Sequence, residues 1–218
     1  MSLFVERPSD ATPKDGRVLL RRSELLTLLP QCPDLRGSDR LDWRVPAGDT
    51  LPRYVCANCD TIHYQNPKVV VGCLPEWEGR ILLCKRAIEP RYGLWTLPAG
   101  FLENGETVTA GAARETLEEA HARVAALDLY TMISLPHINQ VYVMFRARLA
   151  DLEFGPGEES LEVRLFAEPE IPWETLAFRT ITRTLRTFFL DRKLGEFPVR
   201  VSSLERRPPV SPDLRGAA

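Results

Sequence analysis

Two hydrophobic periods divide the chain. Residues 68–77 (KVVVGCLPEW), 80–86 (RILLCKR), 94–100 (LWTLPAG), 128–135 (DLYTMISL), 138–150 (INQVYVMFRARLA) and 162–166 (EVRLF) are short apolar runs, rich in β-branched and aromatic residues, and predict strands. Turn signals punctuate them at Asn66-Pro67 and Glu78-Gly79, and further upstream at Pro46-Ala47-Gly48-Asp49. A helical period takes over from Val108 to about His121, and again from Leu176 to Lys193, where Phe178, Ile181, Leu185, Phe188 and Phe189 recur at helical spacing. Residues 17–29 (RVLLRRSELLTLL) have the spacing of a short amphipathic helix ended by Pro30, and residues 1–16 are expected to be disordered. The order of elements predicts an α/β (α+β) fold, an α/β/α sandwich around a mixed sheet that aims the helix after Gly100 at a ligand.

Composition narrows the class. The chain has 218 residues, is 44% hydrophobic and carries a net charge of −2, enough for one domain with a core and a small appendage. No basic block is present to release counterions and the four Trp are scattered, so no nucleic-acid partner is expected. The opening MSLFVERPSDATPKDG has no apolar stretch of the secretory kind. No run reaches the roughly 18 apolar residues that span a membrane, so no membrane partner and a cytoplasmic location are expected. The five cysteines, Cys32, Cys56, Cys59, Cys73 and Cys84, are not expected to form a disulfide framework.

The candidate chemistry lies between Gly100 and Ala122. Glu115, Glu118 and Glu119 stand three and four apart on a helix, close enough to repel one another. At about 4 Å and an effective dielectric near 20, each pair costs roughly 4 kcal/mol before solvent screening, whereas one i,i+4 ion pair such as Arg114 with Glu118 returns only about 0.3–0.5 kcal/mol. Stability alone does not favour the cluster. A hard divalent cation with oxygen ligands offsets the repulsion, and Mg²⁺ combines one or two carboxylates with waters and substrate phosphate oxygens. Taken alone, three such glutamates are most often a solvated helix face.

The wider spacing decides between these readings. Gly100, five residues, Glu106, seven residues, Arg114-Glu115, two residues and Glu118-Glu119 resemble the Nudix box in every charged position. Thr116 stands where an apolar residue is usual, His121 replaces the closing glycine, and Ala122 is only weakly apolar. The resemblance implies hydrolysis of a nucleoside diphosphate linked to another moiety. It implies Mg²⁺, or Mn²⁺ in its place, held by Glu118, Glu119 and Glu115, with Glu115 able to serve as base. The backbone carbonyl of Gly100 is a further candidate ligand. Arg114 would orient Glu115 through a charge-assisted hydrogen bond, and Glu106 would support the site from behind. A metal-binding glutamate outside the box is expected just before the strand at 162–166, with Glu162 the first choice and Glu159 the second.

Resemblance extends over residues 40–207 to a branch of Nudix pyrophosphatases that carry a zinc ribbon. It implies FAD and ADP-ribose as first substrates and NADH next, because the SQPWPFPxS array of dedicated NADH pyrophosphatases is absent. AMP and a phosphorylated half would be the products, and a homodimer is the common assembly. Trp95, Tyr92, Tyr142 and Phe178 are candidates for stacking on adenine or flavin, each equally suited to the core. Cys56 and Cys59 match the second half of the ribbon, but its first C-x-x-C is missing. Cys32, Cys56 and Cys59 with Asp34 or His63 would be a substitute Zn²⁺ site. The expected organisation is an extension at 1–30, a degenerate zinc-ribbon-like segment at 31–66, the Nudix domain at 67–193 and a tail at 194–218. Two rival readings are a non-catalytic Nudix-type module that senses a nucleotide and a zinc-ribbon interaction protein.

Overall fold

A computed structural model describes residues 41–206, together with the backbone of a strand at Arg17–Val18. Its contacts divide the chain after Asn66 into two compact units. In the first, β1 (Arg17–Val18), β2 (Leu41–Arg44), β3 (Arg53–Cys56) and β4 (Ile62–His63) form an antiparallel sheet in that order. Arg17 and Val18 are therefore extended, where the apolar spacing suggested the start of a helix; pairing with Asp42 and Leu41 overrides local periodicity there. The rest of that expected helix, and the disorder expected for residues 1–16, lie outside the described residues. The predicted turn at Pro46–Asp49 is built by Asp49, whose carboxylate accepts from the amides of Thr50 and Leu51 and from Arg53 Nε at 2.9 Å.

The second unit is a mixed sheet with a helix on each face. Its strands are β5 (Lys68–Trp77), β6 (Arg80–Arg86), β7 (Trp95–Thr96), β8 (Ala99–Phe101), β9 (Val124–Leu135), β10 (Gln140–Leu149), β11 (Ser160–Phe166) and β12 (Arg200–Ser203). The order is β11-β6-β5-β10-β9-β12, with β7 added to β6 and β8 to β5. The β5–β10 and β9–β12 pairs are parallel and the others antiparallel. Alternation sorts the side chains by face. Leu74, Ile81, Leu83 and Met144 pack beneath α2 (Arg179–Leu194) with Ile181, Leu185, Phe188 and Phe189. Val71, Cys73, Val143 and Phe145 face α1 (Val108–Ala120) and its Ala112.

Three elements depart from the pattern. The run 94–100 is two short strands, because Pro98 lacks an amide: β7 pairs with β6, β8 pairs with β5, and Pro98 only accepts, from Cys73 N at 3.1 Å. The helix expected from Leu176 begins at Arg179, since Leu176 is held extended by its bridge to Trp95 and Phe178 is still extended as the N-cap. The segment after Lys193 is no loose tail in its described part: β12 extends the sheet beside β9. It is fastened by Arg200, whose guanidinium grips Asp191 with two of its nitrogens, Nε at 3.0 Å and Nη2, while Tyr130 donates to the same carboxylate at 2.8 Å.

Candidate active site

The catalytic candidates are delivered by one helix and the loops at its two ends. Thr107 starts α1 by accepting the Ala110 amide at 3.1 Å. Ala112 and Thr116, both without exposure, form the face that packs on the sheet. Thr116 takes its apolar-favoured place without cost because its hydroxyl donates to Ala112 O at 2.8 Å. The register buries Glu115 and Glu119, four residues apart, at 9% and 7% exposure, and leaves Glu118 exposed. The helix ends at His121, which adopts the left-handed conformation at φ 48° and donates its amide to Leu117 O at 2.9 Å. Histidine here performs the task of a closing glycine, at the cost of a side chain in a region glycine enters freely.

Arg114 organises the carboxylates. Its Nε and Nη2 grip Glu106 at 3.1 and 2.8 Å, and its Nη1 donates to Glu115 at 2.8 Å and Glu118 at 2.9 Å. The guanidinium, with the Glu103 amide, holds the Glu106 carboxyl down at about 2. Arg114 Nη1 stands between Glu115 and Glu118, and among the described residues no three carboxylate, imidazole or thiol side chains converge on one point. Gly100 on β8 lies directly against the Glu115 carboxylate; a Cβ there would come within 2.4 Å of its oxygens. Burial raises Glu115 above the usual carboxylate range, against the pull of Arg114. Glu119 is raised further, to about 8, by burial and then by the Glu115 charge, against the Ala99 amide at 3.3 Å and the Arg86 charge.

The loop before β11 closes the other side. The Gly155 and Gly157 amides donate to Ala120 O and Glu119 O at 2.9 and 3.1 Å, and the Ala87 amide donates to Glu159 O at 2.8 Å. Gly157 must be glycine, because a Cβ would stand 1.7 Å from Glu118 O. Glu159 belongs to this loop, and its charge acts on both Glu115 and Glu119. Glu162 is exposed on β11 opposite Lys85, beyond a register shift between residues 160 and 162. The Gly157 bond to Glu119 O ties the loop of the second choice, Glu159, to the end of α1, while the first choice, Glu162, lies on β11. Arg86, unmarked in the sequence by any motif, is the other charge acting on Glu119.

The aromatic candidates separate. Trp95 is core: it is 9% exposed, edge-on to Phe166 at 4.9 Å, with the Lys85 ammonium 5.8 Å from its ring. Tyr142 packs against the same core, and burial raises its phenol. Tyr92 is 56% exposed, and Phe178 lies 5.2 Å beneath the Arg86 guanidinium. In the first unit Cys56 and Cys59 occupy one turn, closed by the Asp60 amide on Cys56 O at 3.0 Å. His63 is buried with neither ring nitrogen partnered among the described residues. Cys32 and Asp34 lie outside the described residues. Only two of these groups sit together, so the described residues do not make a complete zinc site.

Comparison with known proteins gives the class and then the family. The NUDIX domain model matches residues 66–186, and the model described as Nudix N-terminal matches residues 37–65. A crystal structure of a NUDIX hydrolase from Nitrosomonas europaea is 59% identical, with a TM-score of 0.74 over 77% of this chain and 95% of that one. An ADP-ribose pyrophosphatase from Methanocaldococcus jannaschii is 30% identical over half of this chain and 67% of that protein. A NAD-capped RNA hydrolase, NudC, from Pseudomonas aeruginosa is 30% identical over 70% of this chain and 54% of that protein. This chain spans about half the length of that relative. It belongs to the Nudix hydrolase family.

Proposed function

We propose that the protein hydrolyses the diphosphate of a nucleoside diphosphate linked to another moiety, releasing AMP and a phosphorylated half. ADP-ribose and FAD lead as substrates, NADH follows, and Mg²⁺ is the working cation, with Mn²⁺ able to replace it. The observation that carries this reading is the buried pair Glu115 and Glu119, one turn apart, with Glu118 beside them. Like charges buried together weaken a fold unless something positive joins them. An all-oxygen donor set suits a hard cation, and glycine at position 100 leaves room against Glu115. Glu118, Glu119 and Glu115 would hold the ion, with Glu159 a candidate further ligand; bound there, it would neutralise charge on the phosphoryl oxygens.

The chain's own groups then have distinct tasks. Arg114 fixes the direction of Glu115 through its 2.8 Å hydrogen bond, and Glu106 fixes Arg114 with two. Burial lifts Glu115 toward the range in which a carboxylate accepts a proton from an attacking water. Relatives named for ADP-ribose and for NAD-capped RNA support the substrate class. The test is AMP release with Mg²⁺ from ADP-ribose, FAD, NADH and a NAD-capped RNA, beside Glu119→Gln. Turnover is expected in the wild type and a loss on the order of 10²–10⁴ in the folded variant. Near wild-type rates in Glu119→Gln would remove the site assignment, and tight binding without any turnover would favour a nucleotide-sensing module.

A further inference from the structure

The solvent side of α2 carries Arg179, Arg183 and Arg186, all exposed and spaced by four and three residues, so they stand in one row along the helix. Seven residues at about 1.5 Å each spread the row over roughly 10 Å. Like charges at such intervals destabilise a helix. No carboxylate offsets the three: among the described residues, the ion pairs of α2 belong to Asp191, Arg192 and Lys193. Arg179 and Arg183 donate instead to backbone carbonyls, Glu205 O at 2.8 Å and Ser203 O at 3.4 Å.

The row is one wall of a groove. A cleft of about 810 Å³ is lined by these arginines, by the exposed Arg91 of the loop after β6, and by Trp173 and Phe178, with Glu174 the one acid in its lining. A second cleft of about 540 Å³ shares Arg183 and Thr187 with the first and runs on to Arg200 of β12. A chain whose net charge is −2 thus gathers four arginines against one glutamate on a single surface. The Arg186 guanidinium lies 5.7 Å from the centre of the Trp173 ring, and Trp173 is seated edge-on to Phe189 at 6.1 Å. A flat base adds to such a stack, and guanidinium forks match phosphate oxygens. One compact anion needs its forks to converge, whereas forks strung along roughly 10 Å of helix suit an anion with repeated charges.

We propose that this groove binds the phosphodiester backbone of a single-stranded nucleic acid, with Arg91, Arg179, Arg183 and Arg186 on its phosphates and the Arg186–Trp173 stack under a base. The aromatic platform beside the charges favours this occupant over an acidic peptide or an anionic lipid surface, neither of which brings a ring with each charge. The sequence shows no basic block because Arg91 and the α2 arginines meet only in the fold. The groove is built on α2, across the sheet from α1, so binding is independent of the hydrolysis proposed above.

The experiment follows the anisotropy of a labelled oligouridylate of about twelve nucleotides, and of its oligothymidylate DNA counterpart, titrated with the full chain in EDTA. Between about 50 and 200 mM salt the wild-type affinity should fall roughly twentyfold to fiftyfold, the drop for three or four neutralised phosphates. Arg183→Gln with Arg186→Gln should bind more weakly at the lower salt and cut that drop to about threefold to sevenfold. Arg91→Gln with Arg179→Gln should do the same, and carries the readout if the first pair does not fold. Arg80→Gln with Arg148→Gln, which removes equal charge from exposed positions elsewhere, should bind as the wild type does. The two oligomers separate RNA from DNA as the source. No binding of either, an unchanged salt dependence in the folded groove variants, an equal loss in the Arg80 and Arg148 variant, or full displacement by poly-glutamate or phosphatidylserine vesicles at matched charge would overturn the assignment.

Discussion

Glu119 ties the chemistry of the site to the stability of the fold. Its carboxyl is raised from the ordinary 4.5 to about 8 by burial and by Glu115. Between these values the native chain retains a proton that the unfolded chain has released, so stability must fall as pH rises. In EDTA, Tm should decline from pH 5 to pH 8.5, the decline should largely vanish in Glu119→Gln, and Mg²⁺ should restore Tm at the upper end. A flat wild-type profile would mean that Glu119 ionises at its ordinary value. Glu115, Glu118, Glu119, Arg114 and Glu106 were legible as candidates through an order that resembles the Nudix box, with four of them on one helix and Glu106 just before it. Arg86 was not legible, because its meaning lies in what surrounds it: burial, a loop carbonyl and a ring from the start of α2. Glu159 was only half legible, because the register shift between residues 160 and 162 separates it from Glu162, and alternation cannot foresee such a shift.

At the scale of elements, the departures arise in the backbone. Pro98 divides a strand for want of an amide, and the bridge of Leu176 to Trp95 keeps the chain extended up to Phe178. Sequence periodicity reports which side chains want burial and is silent about such hydrogen bonds, so strands and helices were legible as stretches and less so at their ends. The exit of α1 offers a test of the same logic. His121 sits at φ 48° with its side chain exposed, so His121→Gly should relieve strain and raise stability by about 1 kcal/mol. Denaturant midpoints at unchanged slope would measure it, and a loss of stability would show that the histidine side chain supports the helix end.

The whole molecule adds a fastening that no local pattern announced. β12 pairs with β9 along its length, and Asp191 on α2 anchors it by receiving Arg200, with Tyr130 completing the cluster from β9. Asp191 has no exposure, whereas the Arg200 side chain is 43% exposed. Arg200→Ala would leave a buried carboxylate with the tyrosine hydroxyl alone, at a cost of about 2–3 kcal/mol in a urea titration. A change within the scatter of the measurement would mean that water replaces the guanidinium. The two-faced sheet was legible because its strands alternate large apolar residues toward both helices. The closing strand was not, because four residues with a single, exposed valine carry little pattern.

The bonds from Gly155 and Gly157 to the last carbonyls of α1 carry a consequence for the order of events in synthesis. A growing chain has all the helix glutamates once residue 119 has been added, yet the helix end stays unfinished until residue 157 follows. Until then Glu119 O and Ala120 O have only water, and the arm that brings Glu159 does not exist. A ribosome halted between these points would hold a chain with every letter of the motif and no assembled centre.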